Sequence, residues 1–510
     1  MNPSGFFPSI TTCRTICKQI LLLTAVVVLQ GTSALAEVKL PAVIASHMVV
    51  QRDRPVHVWG NAAPDEAISV SFRGETRATT ADSLGRWSVN LSPGAAGGPF
   101  EMGIRGENTI ALTDILVGDV WLASGQSNME FALKDAANAQ VELAAANRPR
   151  IRLFHVKRAY SDYPLEDVSA EPWVACSPES VTDFSAVAYF FGKDIQEHEN
   201  VPIGLIEASW GGTPAEAWTS LGALSANASF MPLLAAYSKM TDKESAWSTE
   251  RARQQHEIEV AKAAGKEPPH FPWHPELKSW APASDYNGMI APLTRFPIRG
   301  VIWYQGESNT DPARAPLYES LLRTLIQDWR QQWGEGDSPF LIVQLANFKT
   351  ESEGMWPEVR DAQRRALALR NTGMAVTIDM GDPVNIHPTN KQDVGHRLAL
   401  AARAIIYGEK VEYSGPLYRQ ATREDHTLRI WFDHATDGLV AEGPVLKGFE
   451  IAGADHKFVP ADAYVDGQTV VASNSQVPSP EYVRYDWDSS PEGNLYNDDG
   501  LPASPFESQR

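Results

Sequence analysis

Cysteine is scarce: 510 residues contain three, and two of these, Cys13 and Cys17, lie within the first 36. Beyond that segment only Cys176 remains. No intramolecular disulfide and no cysteine-based metal cluster can form there, and Cys176 reads as a small buried apolar residue. Basic charge is also in deficit, with 44 Lys and Arg against 63 Asp and Glu, a formal net charge of −19. Phosphates need a basic surface, so nucleic acid is not an expected partner. The same balance disfavours a polyanion and favours a neutral ligand. After residue 36 there is no apolar run long enough to cross a membrane. The chain has no Gly-x-Ser-x-Gly elbow, His-Glu-x-x-His, glycine-rich dinucleotide loop or P-loop. Those absences remove the metalloprotease, dehydrogenase and kinase readings.

What is present begins with the leader. Residues 1–36 have the make-up of a secretory signal peptide. Arg14 and Lys18 supply the positive flank, Ile20 to Leu29 the short apolar run, and Ala34-Leu35-Ala36 the cleavage pattern. Losing those two cations shifts the formal charge from −19 to −21. The expected product is exported, periplasmic or extracellular, and free of the membrane. Fifteen Trp is a high count for this length. Flat indole faces suit sugars, although any one Trp belongs more often to a core.

A chain of this length folds as two or three units. Residues 37–114 carry short Val-, Ile- and Trp-rich segments (SHMVVQ, PVHVWG, AISVSF, RWSVNL, TIALTDI) between turn residues, which predicts a β-sandwich. From 115 to 410 the pattern changes. ILVGDVWLAS, IGLIEASW, GVIWYQG, PFLIVQLAN and MAVTIDM are near-continuous apolar strands, the kind buried on both faces of a sheet. Amphipathic stretches lie between them, and Leu317, Leu321, Leu325 and Trp329 form one i, i+4 stripe. Strand–helix alternation predicts an α/β fold with a doubly wound parallel sheet. Residues 221–282 interrupt it, helical and charged first, then rich in Pro and Trp; Phe271, Trp273 and Trp280 suggest an insertion packed over one edge of the site. Strands return over 411–510 (VEYSGPLY, TLRIWFD, GFEIAG, QTVVAS, YVRYDW), a second β region.

Four features fall at carboxyl ends of these strands, where open α/β sheets build their sites. The first is Ser127 in GQSNME, placed for a nucleophile at a helix start or for a simple helix cap. The second is Trp210-Gly211-Gly212, either an oxyanion-binding turn or only a turn. The third is Gln305-Gly306-Glu307-Ser308-Asn309, where Gln305 or Asn309 can donate an amide N–H or cap the next helix. The fourth is His387 in DPVNIHPTNKQ.

Taken together, GQSNME, ASWGGTPAEAW, NGMIAPL, GVIWYQGESNT, IHPTNKQDVGHRLAL and LPASPF resemble the sialate O-acetylesterase family of the SGNH hydrolases. The resemblance covers nearly all of the chain after the leader, both β regions included. It implies an SGNH-type sheet flanked by N- and C-terminal β-sandwich regions. The implied activity is removal of acetyl groups from sugar hydroxyls, without metal or organic cofactor. Carried over by position, it makes Ser127 the nucleophile and His387 the base. The oxyanion hole would comprise the N–H groups of Ser127 and of Gly211 or Gly212, with the Gln305 side chain. Trp210, Glu307 and Asn309 become substrate-binding candidates. The implied substrate is an acetylated plant-wall glycan, xyloglucan or xylan, or an O-acetylated sialic acid. For the latter, Arg295, Arg314 and Arg360 are candidate carboxylate partners.

One departure stands out. Many relatives have Asp two residues before the His, where this chain has Asn385, and the wider superfamily has Asp three before, where it has Val384. The ring can be held by Asp382, by a main-chain carbonyl near Val384 or Asn385, or by a distant acid. The second option, a Ser–His dyad, is the expectation. Two other functions compete: a glycoside hydrolase using Glu216 and Glu307 as its acid and base, and a non-catalytic sugar-binding protein.

Overall fold

The computed structural model describes residues 1, 37–269, 271, 275–350 and 354–508. The leader, with Cys13 and Cys17, and Trp273 of the insertion lie outside the described residues.

In the N-terminal region six short strands, β1 (Val49–Gln51), β2 (Val56–Asn61), β3 (Ala67–Phe72), β4 (Glu75–Thr80), β5 (Arg86–Leu91) and β6 (Gly97–Arg105), lead into β7 (Thr109–Gly125). Strict alternation in β5, with Trp87, Val89 and Leu91 inward, shows why the segment pairs as a half-buried strand. β2 pairs with β5, while β3 joins β4 and β6, and β6 joins β7. The expected boundary at residue 114 falls inside β7, which runs for 17 residues without a break. Its first half pairs with β6 and its second half enters the central sheet. The apolar side chains of this region therefore share one continuous core with one face of that sheet.

The central sheet adds β8 (Arg148–His155), β9 (Val174–Cys176), β10 (Ile203–Ser209), β11 (Gly300–Tyr304), β12 (Phe340–Val343) and β13 (Thr372–Ala375). Their order is β13-β12-β11-β7-β10-β8-β9, parallel throughout except for the antiparallel edge strand β9. The fold is thus a mixed α/β arrangement with added β regions. Helices cover both faces, which is why the strand sequences are apolar rather than alternating. Ala186–Glu199 and Lys391–Ile405 pack with Leu153, Leu205, Ile302 and Leu341. Tyr318–Trp333 and Trp356–Ala366 pack on the other side with Leu122, Ile206, Val301 and Ile342. In Tyr318–Trp333 the stripe Leu321, Leu325 and Trp329 is buried, and Gly334 ends the helix at φ 68°.

Two strands are shorter than their sequence suggests. MAVTIDM leaves the sheet after Ala375 because Met380 N–H turns back to the Thr377 carbonyl. VEYSGPLY becomes a strand only at Leu417, since Gly415 lies so close to the Pro502 carbonyl that a Cβ there would be 1.9 Å from its oxygen. In the insertion, the helix Glu244–Ala263 buries no residue. The insertion reaches the body through Leu224, Phe230 and Leu233, buried in the shared core, and through Trp280, whose ring lies 5.0 Å from the Arg314 guanidinium, and Lys278, whose ammonium is 5.1 Å from the Tyr160 ring.

The C-terminal region has its own core, including Ile430, Phe449, Val470, Val483 and Phe506. Arg360 ties it to the central sheet. Its fully buried guanidinium donates to the Leu345 and Ala346 carbonyls on one side and to those of Asp488 and Ser489 on the other, at 2.7–2.8 Å.

Candidate active site

β7 and β11 run side by side and end together, bringing Gly125 beside Tyr304. A Cβ at Gly125 would sit 2.1 Å from the Tyr304 carbonyl oxygen, and its φ is +136°, so only glycine fits. Gln126 N–H donates to that carbonyl at 2.9 Å. The chain then makes a single helical turn, Ser127–Glu130, shorter than the helix the sequence suggests. Ser127 is left partly exposed while Asn128 and Met129 are buried.

His387 arrives from the loop after β13. Its Nε2 is 2.8 Å from Ser127 Oγ, so the hydroxyl donates to the ring when that nitrogen is unprotonated. Phe131 flanks the ring, with centroids 6.5 Å apart. Burial lowers the His387 pKa below its usual value, and the charge of Lys391 adds to that.

The orienting acid is missing from the near side of the ring. Asp382 Oδ1 accepts the Val384 N–H at 2.9 Å, a local turn. Asn385 Oδ1 accepts the backbone N–H of His387 itself, also at 2.9 Å, rather than a ring N–H. Among the described residues no carboxylate bonds the His387 ring. The assignment of Asp382 to the ring therefore does not match this arrangement.

The oxyanion candidates divide. Gly211 lies against the nucleophile: a Cβ on it would be 3.2 Å from Ser127 Cβ. Its N–H, however, donates to Glu130 Oε2 at 2.8 Å. Gly212 follows in a left-handed conformation at φ +78°, which glycine tolerates without strain. Gln305 corrects the expectation. It is fully buried, its amide donates to the Thr213 carbonyl and Asn309 Oδ1, and its Oε1 accepts from Tyr318. With both N–H groups engaged, Gln305 braces the site from behind.

Asn309 is equally buried and equally committed. Its Oδ1 accepts from Ala215 N–H and its amide donates to Glu216 Oε2 at 2.9 Å. It is scaffolding rather than a sugar contact. Glu216 also pairs with Arg314 at 2.8 Å in the interior. Glu307 Oε1 accepts from Asn128 at 2.6 Å, and burial holds its carboxyl above the usual range. Both carboxylates of the glycoside-hydrolase reading are thereby occupied with structural partners. Trp210 is 7% exposed, covered by Tyr160 in a stack of 6.3 Å and by Arg158. Tyr160, which covers Trp210, is itself open to solvent.

The proposed sialate-binding arginines are likewise engaged elsewhere. Arg314 and Arg360 are interior, and Arg295 packs on the Trp59 ring at 4.9 Å in the N-terminal region. The exposed cation near the nucleophile is Arg158, whose side chain is 54% accessible and bonds Glu130 Oε1. The sequence offered no signal for it, since nothing in KRAY marks which element it faces.

Comparison with known proteins places these observations in a family. A family model described as carbohydrate esterase, sialic acid-specific acetylesterase matches residues 117–251 and 274–404. Mouse sialate O-acetylesterase is 30% identical over 523 residues, covering 91% of this chain and 93% of the mouse protein. The human sialate O-acetylesterase is 32% identical over 414 residues, 73% of this chain and 72% of its own. The crystal structure of a carbohydrate acetylesterase from Xanthomonas citri is 38% identical, covers 92% of this chain and 99% of its own, and superposes with a TM-score of 0.80. The chain belongs to the sialic acid-specific acetylesterase family of carbohydrate esterases and is an ester hydrolase of the carbohydrate acetylesterase class.

Proposed function

We propose that the protein is an exported carbohydrate O-acetylesterase working by a Ser127–His387 acyl-enzyme mechanism. The observation that carries this is the 2.8 Å contact between Ser127 Oγ and His387 Nε2 at the ends of parallel strands. Ser127 attacks the acetyl carbonyl while its proton passes to His387 Nε2. The new C–O bond leaves a tetrahedral oxyanion beside the Ser127 and Gly212 N–H groups. Gly211 N–H joins them once it leaves Glu130. On collapse, the bond to the sugar oxygen breaks and His387 returns its proton to that oxygen. Water then attacks the acetyl-enzyme, again through His387, releasing acetate. With no carboxylate bonded to the ring among the described residues, the pair works as a Ser–His dyad.

For substrate, the favoured reading is a neutral acetylated plant-wall glycan such as xyloglucan or xylan. It is supported by the acidic net charge and by the internal commitments of Arg314 and Arg360. A second reading, O-acetylated sialic acid, is supported by the sialate O-acetylesterases among its relatives and by Arg158, exposed beside the nucleophile's turn. Acetate release from acetylated xyloglucan, xylan and sialic acid, measured side by side, separates them. Loss of sialate turnover alone in Arg158→Gln would select the second reading, and equal rates on all three would remove any narrow assignment. Ser127→Ala tests the scheme itself: near-normal turnover would overturn it. Export rests on the leader, and the secreted protein should begin at Glu37; a mature chain retaining residues 1–36 would contradict it.

A further inference from the structure

Four residues beyond His387, Lys391 is fully buried at the start of Lys391–Ile405, an unusual place for an ammonium group. Its Nζ donates to Asn128 Oδ1 at 2.5 Å and lies over the rings of Phe131 and Tyr304, at 4.8 and 5.3 Å. Asn128 is the residue next to Ser127. Its amide donates in turn to Glu307 Oε1 at 2.6 Å and to the Ile386 carbonyl at 3.0 Å. Ile386 is the residue next to His387. One side chain thus ties the peptide that carries Ser127 to the peptide that carries His387, and Lys391 satisfies its remaining oxygen.

We propose that Lys391 is a positioning residue for the Ser127–His387 pair, acting through Asn128, and that its charge keeps His387 in the unprotonated form a base requires. This rests on the reading of those two residues as nucleophile and base. Deleting the ammonium would leave Asn128 Oδ1 buried and unpaired, and the clamp on Ile386 would loosen. Bringing a cation behind the ring also makes a second positive charge on His387 costlier. The direction agrees with the lowered His387 pKa, for which Lys391 is the charged cause. Burial brings the Lys391 ammonium itself down to about 7, with Glu307 opposing. Among the described residues, Glu307 is the charged group facing Lys391, and Lys391 the charged group facing His387.

In a conventional triad an acid behind the histidine favours its protonated form. Here the charged group that acts on the ring has the opposite sign. The site gives up stabilisation of the imidazolium and gains a base that is already free at mildly acidic pH.

Two neutral variants separate the roles. Lys391→Met removes both charge and donor, while Lys391→Gln removes the charge and keeps a donor toward Asn128. Both should shift the acid limb of kcat/KM on 4-nitrophenyl acetate upward, since losing the cation favours protonated His387. Only Lys391→Met should lower kcat, by about tenfold to a hundredfold. Folded variants with an unmoved acid limb would overturn the charge role, and an unchanged kcat in Lys391→Met would overturn the positioning role. Should neither variant fold, the wild-type protein still decides. Nitrogen-15 NMR titration of the His387 ring should give a midpoint below the ordinary histidine value, burial and the Lys391 charge acting in the same direction; one at or above it overturns the charge role. That titration does not depend on turnover, so it stands apart from a failure of the esterase mechanism, which Ser127→Ala reports.

Discussion

Gly211 donates its backbone N–H to Glu130 Oε2 at 2.8 Å, although Gly211 stands next to Ser127 where a developing oxyanion would need donors. Glu130 is the last residue of the turn that starts with Ser127, and Arg158 holds its other oxygen. The carboxylate therefore sets the Gly211 loop against the nucleophile and also competes for its N–H.

The Gly211 loop should depend on that carboxylate. Glu130→Ala is expected to lower kcat about tenfold through misplacement of the loop, while Glu130→Gln, which keeps an acceptor, should stay within a few-fold of wild type. Wild-type kcat on 4-nitrophenyl acetate in Glu130→Ala would remove Glu130 from the site.

Asp382 should matter little to chemistry. Its Oδ1 accepts a backbone N–H, which an Asn side chain can also do. Asp382→Asn should cost less than about tenfold in kcat, whereas deleting the orienting acid of a true triad costs about 10⁴. A loss of that second size, measured with stability unchanged, would mean a triad and would end the dyad reading.

Glu207 links stability to pH. It is fully buried on β10, accepting from Ser185 N–H at 3.0 Å and Ser209 Oγ at 2.9 Å, and burial raises its pKa to about 8. The folded state thus holds a proton that the unfolded state releases near 4.5. Between those values the native state binds more protons, so stability falls as pH rises through the window. Glu207→Gln should flatten this dependence, giving a smaller Tm difference between pH 5 and pH 8. An equal slope in the two proteins would sink the prediction.

Arg360 should be a point of mechanical failure. Four carbonyl oxygens from both sides of a junction accept from one guanidinium. Arg360→Met leaves those acceptors without donors, a cost of about 3 kcal/mol or more. We expect a lowered Tm and faster proteolysis within 411–508 than elsewhere. Uniform protease resistance would show that the junction holds without it.

Much of this was readable beforehand, for identifiable reasons. β10, β11 and Tyr318–Trp333 have unambiguous apolar patterns, and the structure has all three. Ser127 and His387 are brought into contact as the strand-end argument requires. β4 (ETRATT) lacks the apolar alternation that marks a strand, and pairing with β3 imposes its conformation; β6 (GGPFEMGIR) alternates at Phe100, Met102 and Ile104, but its opening Gly97, Gly98 and Pro99 read as a turn. Gln305 and Asn309 misled because an amide's sequence position does not say which way it points, and here each finds partners inward. Lys391 escaped notice because a lysine at a helix start reads as solvated surface. Its burial is set by Asn128 and Tyr304, distant in sequence.

The unbroken run of β7 has an engineering consequence. Its 17 residues run from the outer β sheet, through a bend at Asp114 where φ is +56°, to the peptide before Gln126. The N-terminal β region is joined to the central sheet within one strand rather than through a linker. Cutting it away removes half of the rod whose other half carries the nucleophile, and swapping it for a homologous module requires splicing within a strand rather than at a linker. Strain introduced at the far end, in the pairing with β6, has a covalent and hydrogen-bonded route to Ser127.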